Sequence, residues 1–198
     1  MNKMRKVLII GVGGIGSYLA PVLDKTGLYK LTIADPDELE TKNMTYQNYR
    51  TDYFNKFKKK VNALDVEKNN PTRVAFPILT EQQLYKGYDL VVCCADNLDV
   101  RRLIYRQGFQ SDCKVKWLDL RAQARNGALI SYLTDPKYCD TFLAGPEGSF
   151  SCQGESFSKT LNAKDLHFTH VAIAGIGAQW IQRWFNKEKV KDKIIVNL

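Results

Sequence analysis

An α/β fold built on a mostly parallel sheet is predicted by three features of the 198-residue sequence. Short apolar runs alternate with helical patterns through the first two thirds of the chain. A glycine-rich turn follows the first run, and an acidic residue closes the second. Strand, phosphate-type turn, helix, strand and acid in that order form the opening of a Rossmann-like unit, with helices covering both faces of the sheet.

The strands are read at Arg5–Ile10, Lys30–Asp35, Arg73–Ile78, Asp89–Cys94 and Val115–Leu120, each an apolar run bounded by turn residues. Between them Gly14 to Thr26, Asp52 to Lys68 and Asn97 to Gln110 carry apolar residues at helical spacing. Gly127 to Leu133 alternates as an added antiparallel strand toward the C-terminus. A loop over about residues 135–160, rich in Gly, Ser and Pro, carries Cys152. The last helix, His167 to Asn186, opens with Val171-Ala172-Ile173-Ala174-Gly175-Ile176-Gly177-Ala178. It lacks a polar face there, which predicts burial against the sheet or against a second subunit. No repeat or linker divides the chain, so residues 1–198 are expected to form one domain.

Composition narrows the class. The sequence is 44% hydrophobic and 25% charged, and no run reaches the roughly 20 apolar residues of a membrane span. The basic start followed by Val7–Ile10 superficially imitates a signal peptide, but the run breaks at Gly11 and serves better as a first strand. Five cysteines without a Cys-x-x-Cys pair (Cys139 has Phe142 three residues on) argue against a disulfide framework and a structural zinc site, and for a reducing cytoplasm. The formal charge of +8, from 29 Lys and Arg against 21 Asp and Glu, suits a phosphate-bearing ligand or an acidic protein; nucleic acid is not indicated.

The chemistry concentrates first at Gly11-Val12-Gly13-Gly14-Ile15-Gly16. Its glycines permit a tight turn and close approach of backbone to a ligand, and a helix N-terminus there offers unpaired N–H groups to a phosphate. Nineteen residues after Gly16, Asp35 ends an apolar strand, where an acid can bond ribose hydroxyls. Both NAD and ATP satisfy this pair of signals.

Further motifs separate them. Asp35-Pro36-Asp37-Glu38-Leu39-Glu40-Thr41-Lys42-Asn43-Met44-Thr45-Tyr46-Gln47 resembles the Asp-x-Asp-x-Val-x-x-Ser-Asn-Leu-x-Arg-Gln stretch of the ThiF, MoeB and ubiquitin-activating enzyme superfamily. Gly13-Gly14, Lys58 thirteen residues before Pro71, and Asp96-Asn97 with Arg101 match its other elements. Trp117-Leu118-Asp119, Ser151-Cys152, the Gly/Ala-rich last helix and Val196-Asn197-Leu198 look like the ThiF-like proteins of PRTRC plasmid and mobile-element systems.

The resemblance implies an enzyme that uses ATP and Mg²⁺ to adenylate the C-terminal carboxylate of a small β-grasp, ubiquitin-like or sulfur-carrier protein, working as a homodimer. Carried over by position, it implies nucleotide contacts from Gly11, Gly13, Gly14, Gly16, Asp35, Asp37, Asn43, Gln47 and Lys58. Asp35 would hold the ribose, Asn43 and Lys58 would face the triphosphate, and Asp96 would hold Mg²⁺. A carboxylate with phosphate oxygens is the hard donor set Mg²⁺ prefers, and a lysine there stabilises charge as pyrophosphate leaves. Cys152 stands where relatives carry their sulfur- or acyl-accepting cysteine. Two departures accompany these matches: Tyr46 replaces the family's arginine, and the chain begins almost at the first strand, without the N-terminal helix that in many relatives supplies an arginine across a dimer. Arg50 or Arg101 is the candidate replacement. The rival readings are a nicotinamide-dependent oxidoreductase using the same turn, and a non-catalytic nucleotide-dependent interaction module.

Overall fold

The computed structural model describes residues 4–35, 37–49, 61–62, 74–76, 87–109, 115–138, 152–154, 157, 159 and 162–198. Among these, β1 (Arg5–Ile10), β2 (Tyr29–Ala34), β5 (Val74–Phe76), β6 (Leu90–Cys93), β7 (Trp117–Gln123), β8 (Asn126–Ser131) and β9 (Lys193–Asn197) form one sheet in the order β5-β2-β1-β6-β7-β8-β9. The first five are parallel, and β8 and β9 are added antiparallel. The fold class expected from the sequence is thus present, with β9 as an edge strand that the hydrophobic pattern did not announce.

β1 shows why such strands read as unbroken apolar runs. Val7 and Ile9 point to one face, where Leu19 and Leu23 of α1 (Gly16–Lys25) and Ile173 and Ile181 of α3 (Thr169–Phe185) are buried. Leu8 and Ile10 point to the other, toward Ile104 and Tyr105 of α2 (Leu98–Phe109). Both faces are covered, so alternation between inside and outside disappears. Each fully buried Leu or Ile contributes about 1.5–3 kcal/mol. The apolar last helix is accordingly buried on the sheet: Gly177 lies against Leu120, and Ile173 packs over Gly127 of β8.

Two local results depart from the expected pattern. Val61–Asn62, inside the stretch read as helix from Asp52 to Lys68, extends and pairs antiparallel with Glu38–Leu39 (β4 and β3). Helical spacing of apolar residues does not prevent a two-residue ladder when another extended segment passes alongside. The helix expected from Gly14 contains Pro21, whose ring nitrogen cannot bond the carbonyl of Ser17. That carbonyl is instead taken by Asn48 Nδ2 at 3.2 Å, while the Asn48 N–H donates to Ser17 Oγ at 3.0 Å. The segment after β3 is thereby fastened to the first turns of α1.

The topology positions the site. β1 has β2 on one side and β6 on the other, and Ile10 is level with both Ala34 and Cys93. The chain leaves these three strands at one sheet end, where connections diverge to opposite faces. Such a switch point leaves a crevice beyond the carboxyl ends of the strands.

Candidate functional site

Gly11 turns the chain at φ +85°, a left-handed conformation suited to glycine, and its N–H donates to the Ala34 carbonyl at 2.8 Å. A Cβ there would stand 2.7 Å from the backbone nitrogen of Ala95, because the segment leaving β6 packs directly on the turn. A Cβ on Gly16 would overlap the Gly11 carbonyl oxygen. The glycine spacing is therefore demanded by backbone meeting backbone.

Asp35 is buried beneath this turn. Its Oδ2 accepts the Val12 N–H at 2.7 Å and its Oδ1 accepts the Asp37 N–H at 2.9 Å. The Val12 carbonyl is held in turn by the Tyr49 hydroxyl at 2.7 Å. Burial pushes the Asp35 carboxyl above its ordinary range, the two N–H donors pull it back, and the charges of Asp37 and Asp96 push with burial. The charges of Asp37 and Asp96 thus both bear on Asp35 at the ends of β2 and β6.

Asp96 itself is exposed at the end of β6. The capping of α2 falls to its neighbour: Asn97 Oδ1 accepts the N–H groups of Asp99 at 2.8 Å and Val100 at 3.3 Å. An exposed carboxylate beside a glycine cradle suits Mg²⁺, whose remaining ligands would be phosphate and water oxygens. Among the described residues no group of three His, Cys, Asp or Glu side chains forms a ready-made metal cluster.

Asn43 and Gln47 approach from the short 3₁₀ turn Thr41–Thr45 and its exit. Asn43 Oδ1 accepts the Glu40 N–H at 2.8 Å as half of a capping box, and its Nδ2 donates to the Tyr46 hydroxyl at 3.0 Å. Gln47 lies over the phosphate-type turn: a Cβ on Gly13 would sit 3.5 Å from Gln47 Nε2. Lys58 and Arg50 lie outside the described residues, as does Cys139.

Arg101 finds its partner in the core. Its Nε donates to Asp119 Oδ1 at 3.1 Å, while Asp119 Oδ2 accepts from the Tyr105 hydroxyl at 2.7 Å and from Arg121 Nη2 at 2.7 Å. Burial alone would raise the fully buried Asp119 carboxyl, but the Arg101 and Arg121 guanidiniums outweigh it and hold the group below the usual carboxylate range. Arg101, a candidate replacement for the family's arginine on sequence grounds, is thus buried and committed to Asp119. A lone Asp at the centre of a sheet requires cationic partners, and α2 turns Arg101 inward to supply one.

Cys152 is drawn into the same place, not left in a solvated loop as its Gly/Ser-rich setting suggested. Its Sγ occupies the space where a Cβ on Gly14 would lie, its carbonyl accepts the Ala124 N–H at 3.1 Å, and it is half-buried. Burial pushes the thiol up to about 11, with the Asp96 charge acting in the same direction and Gln153 against it. Cys93 is inert by comparison, wholly buried and pushed up to about 12 chiefly by burial. Gln153, His170, Tyr18 and Tyr49 also build this site and carried no motif. A histidine at the start of an otherwise apolar helix was the available signal.

The sequence model of the ThiF family matches residues 2–140. The chain belongs to the ThiF family. Adenylyltransferase and sulfurtransferase UBA4 of Candida albicans is 35% identical over 115 residues, covering 52% of this chain and 25% of that protein. Ubiquitin-like modifier-activating enzyme 5 of Drosophila mojavensis is 30% identical over 118 residues, covering 50% of this chain and 30% of that protein. The match therefore spans about a quarter of the length of these curated relatives. Among solved structures, E. coli MccB aligns over 98% of this chain and 59% of its own with a TM-score of 0.69 at 16% identity. PaaA aligns over 98% and 61% with a TM-score of 0.66 at 19% identity. At such identities the likeness is one of fold, and it extends past the family match into the Cys152 segment and α3.

Proposed function

We propose that this ThiF-family chain adenylates the C-terminal carboxylate of a small ubiquitin-like or sulfur-carrier protein of β-grasp fold, using ATP with Mg²⁺, and passes the acyl group to Cys152. The observation that carries the reading is the bond from the Val12 N–H to buried Asp35 beneath the Gly11–Gly16 turn, with Asp96 at the same strand ends. In this reading the turn would take a phosphate, Asp35 the ribose and Asp96 the divalent ion. Support comes from relatives whose names describe adenylyltransferases and modifier-activating enzymes, and from MccB, solved with ATP and with N-formylated MccA.

In the first step a carboxylate oxygen of the carrier attacks the α-phosphorus, the bond to the β-phosphate oxygen breaks, and pyrophosphate leaves. No general base is needed, because a C-terminal carboxyl is ionised at neutral pH. Mg²⁺, when bound, supplies charge neutralisation on the phosphate oxygens. The chain's own part is alignment by the turn amides and Gln47, and Lys58 for the leaving pyrophosphate. In the second step Cys152 Sγ, after losing its proton to solvent, attacks the acyl carbon; the bond to AMP breaks and a thioester remains.

ATP–pyrophosphate exchange dependent on an added carrier tests the first step. Cys152→Ser tests the second: loss of the thioester-linked conjugate is expected, and a conjugate formed at the normal rate removes Cys152 from the reaction. Thermal shift separates the rivals, since a ligand at 100 times its Kd stabilises by about 2.7 kcal/mol. A shift with NAD and none with ATP and Mg²⁺ would overturn the assignment. The interaction-module reading is favoured by Tyr46, which replaces a cation and bonds its hydroxyl to Asn43; ATP binding without exchange for any carrier would select it.

We further place the protein in the cytoplasm as a homodimer. No helix among the described residues is long and apolar enough to cross a membrane. The outer side of α3 leaves Gly175 exposed between partly buried Val171, Ala172 and Ile176, which suits a subunit contact. Sedimentation at micromolar concentration decides the oligomeric state.

A further inference from the structure

Cys152 reaches Gly14 because the residue after it is clamped. Gln153 is 0% exposed, and its amide pairs twice with the backbone of His167: Oε1 accepts the N–H at 2.8 Å, and Nε2 donates to the C=O at 3.1 Å. A donor on one side and an acceptor on the other fix which end of the amide is oxygen. Nε2 also lies 3.2 Å from His170 Nδ1, and His170 Nε2 lies 2.9 Å from the Tyr46 carbonyl oxygen.

The direction of these bonds follows from elementary chemistry. A carbonyl can only accept, so neutral His170 carries its proton on Nε2 and donates to Tyr46. Its Nδ1 is then the acceptor that the Gln153 amide requires. Donation runs one way, from Gln153 through the imidazole to the backbone of Tyr46. The ring is further held by edge-on contacts with Tyr18 at 5.5 Å and Tyr46 at 6.1 Å between centroids. Burial lowers the pKa of His170, which favours this neutral form. The two hydrogens of Nε2 therefore serve His167 and His170, and Cys152 Sγ stands 3.9 Å from the same nitrogen as a weaker third acceptor.

Tyr46 adjoins Gln47, which lies over Gly13, and its hydroxyl bonds Asn43. The chain of bonds thus joins the cysteine segment to the segment carrying the expected nucleotide contacts, across sequence separations of 17 and 124 residues. We propose that Gln153 and His170 are positioning residues, which seat the Cys152 thiol on the phosphate-type turn and tie that seat to the Tyr46–Gln47 backbone. The accepting thiol and one wall of the nucleotide site are thereby held as one unit. The meaning of the seat rests on the reading of Cys152 as acyl acceptor; the clamp itself is testable without catalysis.

The test is iodoacetamide alkylation of the full chain without nucleotide, followed at each cysteine by mass spectrometry across pH. Gln153→Leu keeps the volume and removes the hydrogen bonds, and His170→Phe keeps the ring contacts and removes both nitrogens. Each is expected to speed Cys152 alkylation at least tenfold at pH 8, with Cys93 still unreactive. The inflection of the Cys152 profile, raised chiefly by burial and also by the Asp96 charge in a seat shared with the Tyr18 and Tyr46 hydroxyls, should fall from about 11 toward the ordinary thiol value of about 8.5, because release from burial outweighs loss of the Gln153 hydrogen bond that holds the thiol down. An unchanged Cys152 rate and inflection in a folded variant overturns the clamp, and so does an equal rise at Cys93 and Cys152 in both variants, the mark of general loosening. The Cys152→Ser conjugate assay judges the acceptor reading separately: a conjugate that still forms removes the acceptor and leaves the clamp standing, whereas unchanged alkylation in the variants removes the clamp alone.

Discussion

The side-chain amide of Asn48 bonds the one α1 carbonyl that Pro21 leaves without a helical donor, that of Ser17. A proline inside the helix and an asparagine 27 positions later are thus parts of one device. It fastens the segment of residues 41–49 to the helix that begins at the phosphate-type turn. Asn48→Ala is expected to lower stability by about 1–2 kcal/mol, the cost of leaving a part-buried carbonyl unpaired. Pro21→Ala should relieve part of that cost by restoring the helical donor. A double-mutant cycle in urea checks the pairing; strictly additive effects would show that the two residues act independently.

Gly14 and Cys152 compete for the same space. Gly14→Ala would drive its methyl group into Sγ, with an expected loss of about 1–3 kcal/mol from overpacking. Cys152→Ala removes the sulfur, so the double variant should recover most of that loss. Chemical denaturation of the four proteins measures it. A Gly14→Ala variant as stable as the parent would show that the cysteine segment yields freely.

Asp119 is the electrostatic hub beneath the site, with Arg101, Arg121 and Tyr105 all bonded to it. Asp119→Ala leaves the buried Arg101 and part-buried Arg121 guanidiniums without their counter-charge and should cost about 3–5 kcal/mol. The carboxyl is depressed in the fold, so its contribution is fully present above the unfolded value of about 3.9 and is lost as pH falls through the folded value. Asp119→Asn should therefore flatten the acid limb of the stability curve. A limb of unchanged steepness would assign it to other carboxylates.

Asp96→Ala should reduce Mg²⁺-dependent pyrophosphate exchange by at least about 100-fold, the scale of losing one preorganised charge contact, while an exposed position keeps the melting temperature near that of the parent. Full exchange in the folded variant would take the metal away from Asp96. Lys58→Ala should slow exchange far more than Lys59→Ala or Lys60→Ala, because family spacing selects only the first. Equal effects from all three would remove Lys58 from the reaction.

The parallel sheet and its turn were legible because they depend on local rules. Unbroken apolar strands, glycines where backbone meets backbone, and an acid ending β2 announce themselves within a few residues of sequence. Asp35, Asp96 and Gln47 were assigned to one site by the family resemblance, and all lie just beyond strand ends or on the connection that follows β2. What lies across the fold obeyed no such rule. Arg101 matched a motif, yet the inward face of α2 and a buried Asp119 gave it a core partner. Cys152 looked solvated by composition, but Gln153 and His170 hold it against Gly14. Sequence alone pointed to a phosphate-bearing ligand, because a phosphate-type turn has a recognisable local backbone pattern. Only the tertiary structure decided which polar side chains were already committed to each other, because a buried donor is satisfied by whichever acceptor folding brings within about 3 Å, however distant in the chain.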